Sequence, residues 1–253
     1  HMIEMEVCAN SVDSAIAGQR GGAVRVELCD NLPQGGTTPS YGQIKVAREK
    51  LHIQLYPIIR PRGGDFMYSD LEFEIMKQDI LMCKSLKCDG VVIGILRTDG
   101  TVDQARCAEL IEIARPMKIT FHRAFDMTKN LHQALEDIIE LDCDRILTSG
   151  GACSALKGAR QIHELIKQAA GRIEIMPGAG IKTDNIAEII STTGATIFHS
   201  TAKLPVESHM RFKLRNLSLG SASDEFSTEI TNVNTVRDMI EIANNLQLSN
   251  QPL

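Results

Sequence analysis

The chain has 253 residues, 43% of them apolar and 23% charged, with a formal net charge of -5 at pH 7. This length suits one α/β barrel domain, and the acidic balance carries no basic footprint for nucleic acid. No apolar run approaches the roughly 18 residues a membrane-spanning helix needs, and the first strand leaves no room for a signal segment, so a cytoplasmic protein is expected.

His1 reads as a cloning remnant ahead of a start at Met2. In chain order, β-rich runs at 3–8, 24–29, 53–60, 90–96, 118–122, 145–149, 173–176 and 196–200 alternate with amphipathic stretches at 12–20, 41–50, 70–86, 104–114, 131–141, 155–170 and 184–192. This alternation is the pattern of successive parallel βαβ units. Eight of them predict a single-domain (β/α)8 TIM barrel over residues 1–253, in preference to a doubly wound open sheet with fewer strands and a switch point. Ser11, Ser40, Ser69, Asp103 and Thr183 stand where helix N-caps belong. After the eighth strand, 216–234 reads as a polar loop and 236–246 as a closing helix.

Side chains alternate along a strand, so Glu4, Glu6 and Cys8 of the first strand and Arg25, Glu27 and Cys29 of the second are expected to face the barrel interior. One reading is an ion-pair layer in which Arg25 neutralises Glu4, Glu6 or Glu27. The other gives Glu6 and Glu27, nearer the strand ends, acid/base roles. Cys8 and Cys29 end adjacent strands, where two soft thiols suit linear Cu(I), or each is simply a small buried hydrophobe. Cys83, Cys88, Cys107 and Cys143 read as packing residues, Cys153 lies in the sixth loop, and the odd count of seven points to reduced thiols.

The third strand runs into Arg60-Pro61-Arg62-Gly63-Gly64-Asp65-Phe66, where Arg60 and Arg62 can grip an anion or bridge neighbouring loops. The fifth ends Thr120-Phe121-His122-Arg123-Ala124-Phe125-Asp126, which places His122 as a candidate acid/base or metal ligand that Asp126 could orient. Its alternative is a hydrogen-bonded core histidine. The last three strands end in Ser149-Gly150, Gly178-Ala179-Gly180 and His199-Ser200, with Asn185 beyond, where many barrels bind phosphate through backbone N–H groups. Ser149, Gly150, Gly178, Gly180, His199 and Ser200 are therefore candidate anion-binding positions, although glycines also serve tight turns.

Met5-Glu6-Val7-Cys8, Val26-Glu27-Leu28-Cys29, the Arg60 and His122 motifs, Arg145-Ile146-Leu147-Thr148-Ser149-Gly150 and Met176-Pro177-Gly178-Ala179-Gly180 occur in order and together resemble the CutC family over about residues 2–203. The resemblance implies a (β/α)8 barrel, a cytoplasmic location and a role in copper homeostasis, with Cu(I) held by Cys8 and Cys29; Met67 and Met127 are left unassigned. A second expectation is a barrel enzyme of isomerase or lyase type acting on a small anionic or phosphorylated metabolite, with Arg60 and Arg62 gripping the anion and His122 with Glu6 or Glu27 moving protons. No lysine ends a strand, since Lys118 begins its own, which disfavours imine chemistry. No organic cofactor, nucleic acid or membrane partner is expected; the expected partners are a copper ion or a small metabolite, and a second copy in a homodimer.

Overall fold

Capping side chains fix where the first helices start. In the computed structural model, which describes residues 2–221 and 224–249, the Ser11 hydroxyl accepts from the Ser14 N–H to begin α1 (Val12–Gly21). Ser40 does the same for α2 (Tyr41–Lys50), and Asp103 for α4 (Gln104–Ala114). Ser69 and Glu72 form a reciprocal capping box at α3 (Asp70–Ser85). Asn130 caps α5 (Leu131–Glu140), followed by α6 (Ala159–Ala169), α7 (Ile186–Thr193) and α8 (Val233–Ser249). Thr183 caps nothing, because α7 begins after Asn185 and without a side-chain cap bond. Residues 155–158 form a turn rather than the start of α6, with the Ala155 N–H drawn to the Ala179 carbonyl.

Eight parallel strands alternate with these helices: β1 (Glu4–Ala9), β2 (Arg25–Leu28), β3 (Gln54–Pro57), β4 (Gly90–Ile93), β5 (Lys118–Phe121), β6 (Arg145–Thr148), β7 (Glu174–Pro177) and β8 (Ile197–Ser200). They form two arcs of four, ordered β3-β2-β1-β8 and β4-β5-β6-β7. An Ile58–Val92 bridge and the Ile59 N–H to Val92 carbonyl bond of 2.8 Å join β3 to β4. On the other side β7 lies against β8, close enough that a Cβ at Gly178 would strike His199. The arcs therefore close into the (β/α)8 TIM barrel. His1 lies outside the described residues.

The outward side chains of the strands, among them Met5, Val7, Val26, Leu28 and Leu55, pack with Ile44, Met76, Leu110, Leu135, Leu165 and Ile189 of the helices in the main apolar core. The barrel interior is filled differently. Leu147, Met176 and Ile197 make one small apolar plug, and Cys8, Cys29, Tyr56, Ile58 and Val92 make another. Between them run two ion pairs, the buried Arg25 with Glu6 and the half-buried Arg145 with Glu174, and the guanidiniums of Arg25 and Arg145 stand 5.0 and 5.8 Å from the Tyr56 ring.

After β8 the chain departs from the sequence expectation. Part of the segment expected as a polar loop is the strand β10 (Ser227–Thr231), antiparallel to β9 (Lys203–Glu207). The pairing joins residues far apart in sequence and largely exposed, so neither strand carries the alternating burial that periodicity detects. The last helix is also longer than expected and begins at Val233. No helix among the described residues is long and apolar enough to cross a membrane.

Candidate functional site

The parallel register puts Glu6 beside Arg25, Cys8 beside Glu27, and Glu6 also beside His199 of β8. With alternation sending these side chains inward, the first, second and last strands share one polar wall. Glu6, fully buried, accepts from Arg25 Nε on one carboxylate oxygen and lies 2.7 Å from His199 Nδ1 on the other. Burial pulls its carboxyl upward, but the charge of Arg25 and the bond to His199 outweigh burial and bring it down to about 2. Of the three carboxylates considered for Arg25, it is Glu6 that pairs; Glu4 at the strand's start is exposed.

One step toward the C-terminal ends, Cys8 Sγ and Cys29 Sγ are 3.8 Å apart, and Glu27 Oε1 lies 3.0 Å from Cys29 Sγ and 3.6 Å from Cys8 Sγ. All three are buried, and their ligand atoms fall within 4.8 Å of one another, which makes them the metal-competent cluster of three such residues among the described residues. The protons are unevenly shared. The hydrogen bond from Cys29, against the opposing effect of burial and with help from His199, lowers the Cys8 thiol to about 5. Cys29 is pushed well above its ordinary value by its bond to Cys8 and by burial, and burial together with the charge of Cys8 raises Glu27 to about 8. Burial works against a charge on His199, but its bonds to Cys8 and Glu6 overcome this and hold its pKa well above the ordinary range. The shifts favour the charged forms of Cys8, Glu6 and His199, with Glu6 set between the His199 ring and the Arg25 guanidinium.

The wall opens into a cavity of about 460 Å³ at the C-terminal ends of the strands, whose lining includes Cys8, Glu27, Arg60, Phe66, His122 and His199. The sequence motifs expected here divide into those that reach it and those spent on the scaffold. Arg60 lines it, yet its Nη atoms are held by the carbonyls of Gln34, Gly36 and Gly64 at 2.6, 2.8 and 2.9 Å. Arg62 turns away to Asp65 and Glu72 and does not line the cavity. The two guanidiniums therefore do not converge on one anion; Arg62 closes the start of α3 onto its loop.

Asp126 lines the cavity but does not orient His122. It collects the Thr148 hydroxyl at 2.6 Å, the Ser149 N–H at 3.0 Å and the Gly151 N–H at 2.9 Å, and pairs with Arg123. The Gly150 N–H goes to Thr148 Oγ1, so the loop after β6 presents its donors to the protein itself. The His122 ring accepts at Nδ1 from the Ala124 N–H at 3.1 Å, and burial, reinforced by the charge of Arg60, lowers it to about 3. Gly178 is a close-approach glycine, since a Cβ there would lie 2.4 Å from Leu147 and 3.1 Å from His199, and its N–H bonds Thr148. Gly180 and Ser200 line an adjoining cavity of about 570 Å³. The Ser200 hydroxyl donates to Ile181, and Asn185 Nδ2 donates to the Gly180 carbonyl. Met127 reaches the main cavity whereas Met67 does not.

The sequence placed His199 among anion donors and missed its pairing with Glu6, which stands 193 positions away. Nothing local signals that contact; it follows from closing β8 onto β1. Phe66 was quoted only as part of a motif, yet its ring stands 5.0 Å from that of His122 and 4.9 Å from the Arg60 guanidinium carbon.

Residues 3–204 match the profile of the CutC family. A family protein CutC from Chromobacterium violaceum is 50% identical over 238 residues, covering 94% of this chain and 96% of that protein. The copper homeostasis protein cutC homolog of Homo sapiens is 46% identical over 244 residues, covering 96% of this chain and 89% of that one. The crystal structure of CutC from Streptococcus agalactiae superposes with a TM-score of 0.76 at 37% identity, covering 79% of this chain and 99% of that one. A phosphoribosylanthranilate isomerase from Thermotoga maritima, at TM-score 0.57 and 11% identity, shares the barrel fold. With the profile spanning most of the barrel and relatives near half identity over nearly the whole chain, this protein belongs to the CutC family.

Proposed function

We propose that this chain is a CutC-type copper homeostasis protein that binds Cu(I) through Cys8 and Cys29, with Glu27 as a third donor. The observation that carries the reading is the buried cluster of two sulfurs and one carboxylate oxygen at the barrel mouth. Thiolates are the soft ligands that select Cu(I). The name of the human relative, which covers nearly the whole chain, points the same way.

Geometry refines the expectation of a linear site. With a metal–sulfur bond of about 2.3 Å, an ion equidistant from sulfurs 3.8 Å apart would see them at about 110°, whereas a linear ion would hold them about 4.6 Å apart. The cluster as it stands therefore offers a bent, three-point face of S, O and S. Charge favours a monovalent ion. The charges of Cys8 and Glu6 already balance those of His199 and Arg25, so an ion of single charge replaces the Cys29 proton with no net change. A divalent ion would also have to displace the proton on Glu27. In this reading the protein works in the cytoplasm, where thiols stay reduced.

The test is an anaerobic Cu(I) titration of reduced protein against a competing chelator, with Zn(II) run in parallel, beside the Cys8→Ser, Cys29→Ser double variant. Tight one-to-one Cu(I) binding that the double variant loses is expected. Equal affinity in the two proteins would sink the assignment.

A further inference from the structure

The cavity is far larger than one ion requires, and it contains two buried nitrogen donors that the metal cluster does not use. The first is His122 Nε2. Because Nδ1 accepts from the Ala124 N–H, the ring proton sits on Nε2, and that N–H is buried with no acceptor. Burial and the nearby charge of Arg60 keep the ring neutral, so this is a donor in permanent search of an acceptor. Buried donors are almost always satisfied in folded proteins.

The second is Arg60. Its guanidinium is buried and held on backbone carbonyls, its Nε has no partner, and no carboxylate pairs with it among the described residues. Every other cation of the cavity wall faces an anionic partner: Arg123 has Asp126, Lys203 has Glu229, and His199 stands against both Glu6 and the Cys8 thiol. Arg60 alone leaves the wall with a positive charge, and buried charge is paired unless something outside the chain supplies the partner. Phe66 packs against both groups, its ring 5.0 Å from that of His122 and 4.9 Å from the Arg60 guanidinium carbon, and all three line the cavity. Its loop carries Gly63 and Gly64, so the ring can swing aside without breaking a strand.

We propose that this part of the cavity binds a small oxyanion, a carboxylate or a phosphate, which accepts the His122 Nε2–H, balances Arg60 and is covered by Phe66. The anion site stands beside the sulfur cluster in the same cavity and uses other side chains, since among the described residues no hydrogen bond or ion pair joins His122 or Arg60 to Cys8 or Cys29. It places an organic or phosphorylated acid and the proposed metal site in one chamber.

The experiment is calorimetric titration of the full chain with succinate and, separately, with inorganic phosphate, at constant ionic strength against chloride. It is run on the native protein, on His122→Phe and on the Cys8→Ser, Cys29→Ser double variant. Saturable binding is expected to weaken about tenfold or more in His122→Phe, as befits a lost hydrogen bond to a charged group, and to persist in the double variant. Response to succinate alone names the carboxylate, and response to phosphate alone names the phosphate. A second readout on native protein follows the ring of His122 by nitrogen NMR, where the bound anion shifts the Nε2–H resonance. Absence of saturable binding by both anions, or binding that leaves the Nε2–H resonance unmoved, would overturn the proposal. Failure of copper binding leaves this result standing, and the reverse holds equally.

Discussion

The neutral, buried His122 makes a quantitative statement about acid stability. Its ring is depressed from the ordinary 6.5 to about 3 in the folded protein, so below pH 6.5 the unfolded chain takes up a proton that the folded chain refuses. The stability tied to the neutral ring is complete above the unfolded value and is lost as pH falls from 6.5 toward 3. At about 1.36 kcal/mol per pH unit, moving from pH 7.5 to pH 5.0 costs the native protein about 2 kcal/mol through this one residue. Asparagine at 122 can keep an acceptor toward the Ala124 N–H and does not titrate. Urea unfolding of native and His122→Asn protein at both pH values, extrapolated linearly to water, gives the pH-dependent loss for each. The loss should be smaller by about 2 kcal/mol in the variant, whatever its absolute stability; all other titrating groups cancel in the comparison. Equal losses in the two proteins would show that His122 is not held neutral, and the argument from its burial would fall.

Three further outcomes follow from the packing. Glu6→Gln strands the buried Arg25 without its counter-ion and should cost about 3–5 kcal/mol in urea unfolding, whereas Glu4→Gln, at an exposed position, should change stability by less than about 0.5 kcal/mol. Asp126→Ala removes the acceptor of the Ser149 and Gly151 N–H groups and should lower stability by about 2–3 kcal/mol, with hydrogen exchange accelerated first at residues 149–151. Gly158→Ala would place a Cβ 1.8 Å from the Ser149 carbonyl oxygen, while Gly171→Ala meets nothing within 4 Å. The first should cost about 3 kcal/mol and the second, strained only by its positive φ, about 1 kcal/mol, a difference that thermal melts will resolve.

The parts of this molecule that were legible in its sequence are those written in local repeats. Ser11, Ser40, Ser69 and Asp103 each announce a helix because a cap acts on residues two or three positions away. Alternation along two adjacent strands was enough to put Cys8, Glu27 and Cys29 on one wall, and the structure brings them together. What stayed hidden depends on distance along the chain. The partner of Glu6 comes from the last strand, and the pairing of β9 with β10 is set by tertiary contact. Arg62 failed for a different reason: in a loop with Gly63 and Gly64 no periodicity tells which way a side chain points, and the acidic first turn of α3 claimed it. Asp126 was read as a partner for the nearest histidine, whereas the backbone donors of the loop after β6 outnumber and capture it.

Closure of β1 against β8 bears on how the protein is made. Synthesis proceeds from the N-terminus, and early segments begin to fold before late ones exist. Cys8, Glu27 and Cys29 all leave the ribosome within the first βαβ unit, together with Glu6 and Arg25, but the ring that bonds Glu6 from the other side arrives with His199. Asn244 of the final helix, which bonds both the N–H and the carbonyl of Ile3, arrives later still. Until β8 emerges, β1 with Cys8 is therefore an edge strand paired on one side alone, whereas β2 already lies between β1 and β3. The finished pocket needs both ends of the barrel.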